Sequence, residues 1–238
     1  GGNPWPYKPP QTPEERRTYR FLRPIALQPW APDFSNAYMQ QWNFNIQREL
    51  FGSWLATAAY VGSKGTHLFH QIQRNPAIYR PGATAANTNA RRIYAPDFAT
   101  VASQESNACS LYHSMQLSVN KRFSKGFSLL ASYTWSKMID DASGDGGSSS
   151  DPFNFRNQRG ISDLDIPHRF VGSFLYELPR LAGRGALLKY AAGGWEANGI
   201  VVLQSGNPFT VTSGRDNSFS GVGADRADLV GNPYLSTS

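Results

Sequence analysis

The sequence predicts an all-β chain: antiparallel up-and-down strands of a transmembrane β-barrel, present as an open sheet of about six long strands. Three observations predict it. Apolar and polar residues alternate over runs of about ten residues. Connections between the runs alternate between very short and very long. Aromatic residues gather at the ends of the apolar faces rather than along them.

Composition narrows the field first. Of the 238 residues, 17% are charged and 13% aromatic, a balance unlike that of a disordered chain. The net charge of +6 comes from scattered Lys and Arg without a basic stripe, so no nucleic-acid partner is expected. The single cysteine, Cys109, offers no internal disulfide and no CxxC motif. No window of about 18 apolar residues reads as a transmembrane helix, which leaves strand-built membrane proteins open. The chain starts at "GGNPWPYKPP" without Met or a leader pattern and stops in a polar stretch, so an internal piece of a longer chain is expected.

Residues 1–36 read as an external loop or strand-connecting segment, 37–206 as strands with their turns and loops, and 207–238 as a further external loop. The first strand sets Trp42, Phe44, Ile46 and Leu50 against Asn43, Asn45, Gln47 and Glu49. The second, Ser53–Gly65, does not reveal its parity, because Trp54 and Tyr60 oppose Leu55 and Val61. The third sets Met115, Leu117, Val119 and Phe123 against Ser114, Gln116, Ser118, Asn120 and Arg122. The fourth sets Phe127, Leu129, Ala131, Tyr133 and Trp135 against Ser128, Leu130, Ser132, Thr134 and Ser136. The fifth sets Phe170, Phe174, Tyr176 and Leu178 against Ser173 and Glu177, with Val171 and Leu175 as exceptions. The sixth sets Trp195, Ala197, Val201 and Leu203 against Glu196, Asn198 and Gln204.

Turns of "FG" and "SKG" join the first and second pairs of strands, and a somewhat longer "RLAGRGALLKYAAG" joins the last pair. Loops from about Thr66 to Ser110 and from Asp140 to Pro167 fill the alternate gaps. From Phe127 to Trp135, eight steps of about 3.3 Å at a tilt of about 40° cover roughly 20 Å of membrane normal, close to the expected apolar band. A secreted β-sandwich carbohydrate-binding module is the alternative, with Trp5, Trp30, Tyr79 and Tyr94 stacking on sugar.

The stretches "YMQQWNFNIQRELFGSWLATAAYVGSKGTHL", "YHSMQLSVNKRFSKGFSLLASYTWSKMIDDAS", "RGISDLDIPHRFVGSFLYELP" and "GGWEANGIVVLQSGNPFTV" resemble the barrel of TonB-dependent receptors, nearest the Oar-like group with a carboxypeptidase-regulatory-like N-terminal domain. The resemblance runs from Ala37 onward. It implies a segment of a barrel of about 22 strands that imports a bulky nutrient across the outer membrane of a Gram-negative bacterium. Its partners would be outer-membrane lipid and, through parts of the protein not in this chain, a plug domain and the TonB complex. It implies no enzyme activity and no cofactor. The run Asp163, Asp165, His168 and Arg169 resembles a family signature, expected to be structural: the acids pair with Arg169 or cap backbone N–H groups.

Other candidate chemistry is thinner. His67 and His70 lack further ligands at metal spacing. Asp140, Asp141, Asp145 and Asp151 lie in a Gly-rich loop that could hold calcium but lacks EF-hand order, so a solvated loop is the reading. A Ser-His-Asp triad finds no nucleophile elbow, and "SGRDNSFSGVGADRADL" has no GxGxxG.

Overall fold

The computed structural model describes residues 10–143, 151–178, 194–223 and 225–232. Its elements are a short helix α1 (Pro13–Thr18) and strands β1 (Ile25–Leu27), β2 (Tyr38–Glu49), β3 (Trp54–Gln73), β4 (Phe98–Ser124), β5 (Phe127–Asp140), β6 (Gly160–Ile161), β7 (His168–Glu177) and β8 (Glu196–Gln204). The six long strands pair in the order β2-β3-β4-β5-β7-β8, each antiparallel to its neighbour. This is the up-and-down sheet the alternation predicts, and it is open, with β2 and β8 at its edges.

Register turns the separate alternations into one surface. Trp42 and Phe44 lie opposite Gly62 and Tyr60, Tyr60 opposite Met115, and Met115 opposite Trp135. Further down, Leu117 pairs with Tyr133, Tyr133 with Phe170, and Phe170 with Leu203. Residues paired across a sheet share a face, so these side chains form one continuous apolar face. The pairing also settles β3: Trp54 and Tyr60 lie on the apolar face, while Leu55 and Val61 lie on the other. The second face carries Asn43, Asn45, Gln116, Ser118, Ser132 and Thr134.

The apolar face is not covered. Among the described residues the only buried hydrophobic side chains are Ile72, Ala77 and Ala108, all at the long-loop end. A β-sandwich buries its apolar strand faces against a second sheet; here Phe44, Leu117, Trp135 and Leu203 stay exposed. The sandwich alternative is therefore overturned. Trp30, Tyr79 and Tyr94 are exposed loop residues, and Trp5 lies outside the described residues.

One end of the sheet has tight turns. Gly52, at φ 64°, lies between β2 and β3. Lys125 and Gly126, at φ 52° and 76°, form the two-residue loop between β4 and β5. Two successive left-handed residues define a type I′ turn, whose twist matches that of the strands it joins. The connection between β7 and β8 falls largely on residues 179–193, outside the described residues.

At the other end the structure corrects one expectation. The region from Thr66 to Ser110 is nearly half strand rather than all loop: β3 continues to Gln73 and β4 begins at Phe98, leaving 74–97 as the connection. A bulge at His67, φ 56°, shifts the register between Gly65 and Leu68 and breaks the alternation. The polar composition beyond it reads as loop because neither face of this extension is apolar.

Candidate functional site

The long-loop end is a folded cap built on polar groups. Asn75 is fully buried; its Nδ2 donates to the carbonyls of Phe98 and Ala99 (3.0 and 2.7 Å), and its Oδ1 accepts the Tyr94 N–H (2.8 Å). Arg92 donates to the Asn75 carbonyl at 2.6 Å. Buried polar groups are stable only when satisfied, and this set fixes the loop 74–97 against the top of β4.

The loop after β8 is tied to that first loop. Ala77 N–H donates to the Ser220 carbonyl (2.8 Å), and Arg91 donates to the Phe219 carbonyl (2.9 Å). Asp216 accepts the N–H groups of Ser220 and Gly221 (2.9 and 2.7 Å), so the Gly-rich run near 213–223 folds around an Asp-capped turn. The third loop joins through Arg226, which donates to the Asn157 carbonyl (2.9 Å) and to Gln158 Oε1 (2.7 Å), and through Asn207, which donates to the Asp163 carbonyl (3.1 Å). Three loops distant in sequence thus share one hydrogen-bonded body.

Between them opens a cleft of about 660 Å³, with Asp140, Asp163, Thr212, Arg226 and Asp228 in its walls. A second, of about 440 Å³, lies beside it against Tyr79, Phe153 and Arg226. Both present carboxylates, hydroxyls and one guanidinium, and the second adds an apolar wall of Ala77, Tyr79, Pro152 and Phe153.

The run at 163–169 is divided by the fold. Asp165 is buried and accepts the Met138 N–H at 2.7 Å; Ser162 N–H donates to the Met138 carbonyl, and Ser136 Oγ donates to the Ile166 carbonyl. The segment 162–167 is thereby laid along the upper end of β5. Asp163 turns toward the larger cleft, its N–H donating to Ser143 Oγ (3.0 Å). His168 Nδ1 lies 2.7 Å from the Tyr133 hydroxyl on the apolar face. Arg169 sits on the opposite face, between Thr134 and Gln204, and forms no ion pair with either acid among the described residues. Backbone capping, rather than pairing with Arg169, is what the carboxylate of Asp165 does.

The remaining candidates are scattered. His67 Nδ1 meets the Ser106 carbonyl (3.0 Å). Asp140 accepts from Ser143 Oγ (2.8 Å), Asp141 accepts the Cys109 N–H (3.1 Å), and Asp151 accepts the Phe153 N–H (3.0 Å), so the described acids of the Gly-rich loop face separate partners. Asp145 lies outside the described residues. His70 is fully buried, stacked on Phe155 with ring centroids 4.2 Å apart, and neither ring nitrogen has a hydrogen-bond partner. Beside it Arg74 grips Glu105 through two bonds of 2.6 Å. Burial holds the His70 pKa below its usual value; Glu105 opposes the shift and Arg74 reinforces it.

Sequence reasoning missed a repeated device at the upper edge of the apolar face. Tyr60 and His113 are joined at 2.6 Å and stacked at 18°, and Tyr133 and His168 at 2.7 Å and 15°. In each, the His lies two residues above the Tyr's cross-strand partner. The signal was present as Tyr and His at diagonal positions, but reading it requires the register.

No curated protein and no solved structure shows a match to the chain. The family model for an outer membrane beta barrel domain matches residues 1–238. An up-and-down sheet with one uncovered apolar face, edged by aromatic residues and by tight turns at one end, is what such a domain requires of its wall, and the chain belongs to the outer membrane beta barrel domain family.

Proposed function

We propose that this chain is a segment of a TonB-dependent receptor barrel of the Oar-like group, in the outer membrane of a Gram-negative bacterium, and that it takes part in binding and importing a bulky nutrient. It acts as a receptor wall rather than as an enzyme. The tight turns face the periplasm and the loop cap faces outward. The observation that carries the reading is the cap: three long loops joined into one body at one end of a membrane-spanning sheet, with clefts between them that offer carboxylates, hydroxyls and a guanidinium. Loops of that length serve binding when a rigid scaffold positions them. The open sheet supports a wall shared with further strands, since edges β2 and β8 offer unpaired N–H and C=O groups. Outer-membrane lipid would meet the apolar face, and a plug domain and the TonB complex would act through other parts of the protein.

The discriminating experiment is conductance. A barrel of about 22 strands carries a plugged lumen, whereas porins of 16–18 strands leave an aqueous channel. The intact protein, inserted in a planar bilayer, should conduct almost nothing until strong denaturant displaces the plug. Steady open-channel current under native conditions would overturn the receptor reading in favour of a porin.

A further inference from the structure

The apolar face carries a crevice that neither the fold nor the proposed transport uses. It has a volume of about 550 Å³ and lies between β3, β4, β5 and the segment before β7. Tyr60, Met115 and Trp135 form its apolar walls, with His113, Lys137 and Pro167 at its upper edge. Tyr60, Met115 and Trp135 are cross-strand neighbours in one row, and His113 pairs with Lys137 in the next row up. Lys64 lies one row higher, diagonal to His113 across the β3–β4 pair. The face is thus apolar below and cationic above, within a single crevice.

The charges are available. Lys64, His113 and Lys137 are exposed, and neither ammonium group has an ion-pair or hydrogen-bond partner among the described residues. When Tyr60 donates its hydroxyl to His113 Nδ1, His113 Nε2 carries the hydrogen and remains a donor. Same-face neighbours Gln40, Leu111, Ile139 and Ile161 carry no charge. The one acid in the wall, Asp165, is buried with its Oδ1 on the Met138 N–H. Elsewhere on this face, Lys121 lies toward the tight-turn end, and Arg48 lies on edge strand β2 in the row of Ala56, Val119 and Ala131, two rows below Tyr60.

The geometry points to a binding site for a phosphate-bearing, negatively charged lipid of the leaflet at the loop end. An acyl chain lies along Tyr60, Met115 and Trp135, and the phosphate sits against Lys64, Lys137 and His113. Charge complementarity selects this occupant over a second protein: an unpaired cationic rim over an apolar floor, at the level of the headgroups, matches an amphiphile with an anionic head. The inference rests on the outer-membrane barrel reading with the cap outward.

The test uses the intact protein in nonionic detergent. Native mass spectrometry would count bound phosphatidylglycerol, with phosphatidylcholine as the zwitterionic control. Phosphatidylglycerol should be retained preferentially, and Lys64→Gln and Lys137→Gln should each lower its retention roughly fivefold, the usual attraction between one basic side chain and an anionic lipid surface. Arg48→Gln, on edge strand β2 two rows below Tyr60, should change nothing. Inorganic phosphate at equal concentration should not displace the lipid. Equal retention of the two lipids, full retention by the double lysine variant, an equal loss in Arg48→Gln, or displacement by free phosphate would each overturn the site. Heat-modifiable mobility on gels separates the two levels: a chain that never forms a heat-sensitive barrel overturns the barrel reading itself, whereas a folded barrel without lipid preference overturns only the lipid site.

Discussion

Trp42 lies flat over Gly62, its cross-strand partner; a Cβ at position 62 would come within 2.4 Å of the indole ring. The same relationship links Phe174 to Gly199, where the gap would be 2.9 Å. A glycine exposes its strand backbone, and a large ring from the neighbouring strand covers it. On a lipid-facing surface the cover matters more, because hydrocarbon cannot satisfy polar backbone groups.

Gly62→Ala should therefore push the indole off the sheet at a cost of about 1–3 kcal/mol, the range for overpacking. The check is the urea midpoint for refolding of the intact protein into lipid vesicles. Trp42→Ala removes the obstacle, so the double variant should cost less than the sum of the singles. Additive losses would mean the ring and the glycine are not coupled.

Asp165 provides the second prediction. Its carboxylate accepts a buried backbone N–H, and removing that acceptor leaves a donor unsatisfied, at about 1–3 kcal/mol. Asp165→Ala should show that loss in the same refolding assay. Asp165→Asn keeps an acceptor oxygen and should recover most of it. Arg169→Met should have little effect, since no ion pair joins it to either acid. A large loss in Arg169→Met that is not additive with the loss in Asp163→Ala or Asp165→Ala would restore the ion-pair reading of the motif.

The membrane-spanning part was legible because its solvent is simple. Met115, Leu117 and Val119 must be apolar and Gln116 and Ser118 need not be, so period-2 alternation survives in the sequence. The parity of β3 was hidden because Leu55 and Val61 on the second face are as apolar as Trp54 and Tyr60 on the first; only pairing to β2 and β4 decides between them. Above the membrane the rule lapses. His67 bulges, Gln71 and Gln104 pair, and Ser103 and Glu105 are buried, so the extensions of β3 and β4 have no outward signature. The loop contacts lie deeper still. Arg91 on Phe219 spans 128 positions, and no local pattern encodes it.

His70 yields a pH prediction. It is buried beneath Phe155 with Glu105 and its partner Arg74 beside it and Asp141, paired to Arg159, nearby. Its folded pKa is lowered, chiefly by burial, so the unfolded or opened form takes up the proton first. The stabilisation is complete above the ordinary histidine pKa of about 6.5 and falls as pH drops below it toward the folded value. Amide exchange in residues 153–158 should accelerate as pH falls from about 7 to about 5, after correction for intrinsic rates. His70→Phe keeps the stack and removes the titration, so its profile should be flat. An acceleration unchanged in His70→Phe would assign the effect to another group.

Sidedness can be read in intact cells carrying the full-length protein. External protease should cut in the exposed stretch 79–87 and spare the Lys125–Gly126 turn. The residues from 98 to 110, which sequence alone placed in a loop, should resist because they are paired to β3. Cleavage at Lys125 in sealed cells would invert the topology, and with it the leaflet assigned to the lipid crevice.

The face assignment itself is open to a single-strand scan along β5. Ala131 lies opposite Val119 and Gly172 near the middle of the apolar face, with Leu129 toward the tight turn and Trp135 at the upper aromatic edge. An arginine at Ala131 must enter hydrocarbon or reach for a distant headgroup, at about 2–4 kcal/mol near the midplane and about 0–1 near the interface. Arginine at Leu129, Tyr133 or Trp135 should cost progressively less with distance from that middle, with loss of the Tyr133–His168 bond adding to the change at Tyr133. Ser132 and Thr134, on the other face, should accept arginine at little cost where the lumen is wet. The measurement is the refolding equilibrium of matched variants in vesicles of one lipid. A profile without a central maximum, or a larger cost at Ser132 than at Ala131, would show that the apolar face meets protein or water rather than lipid.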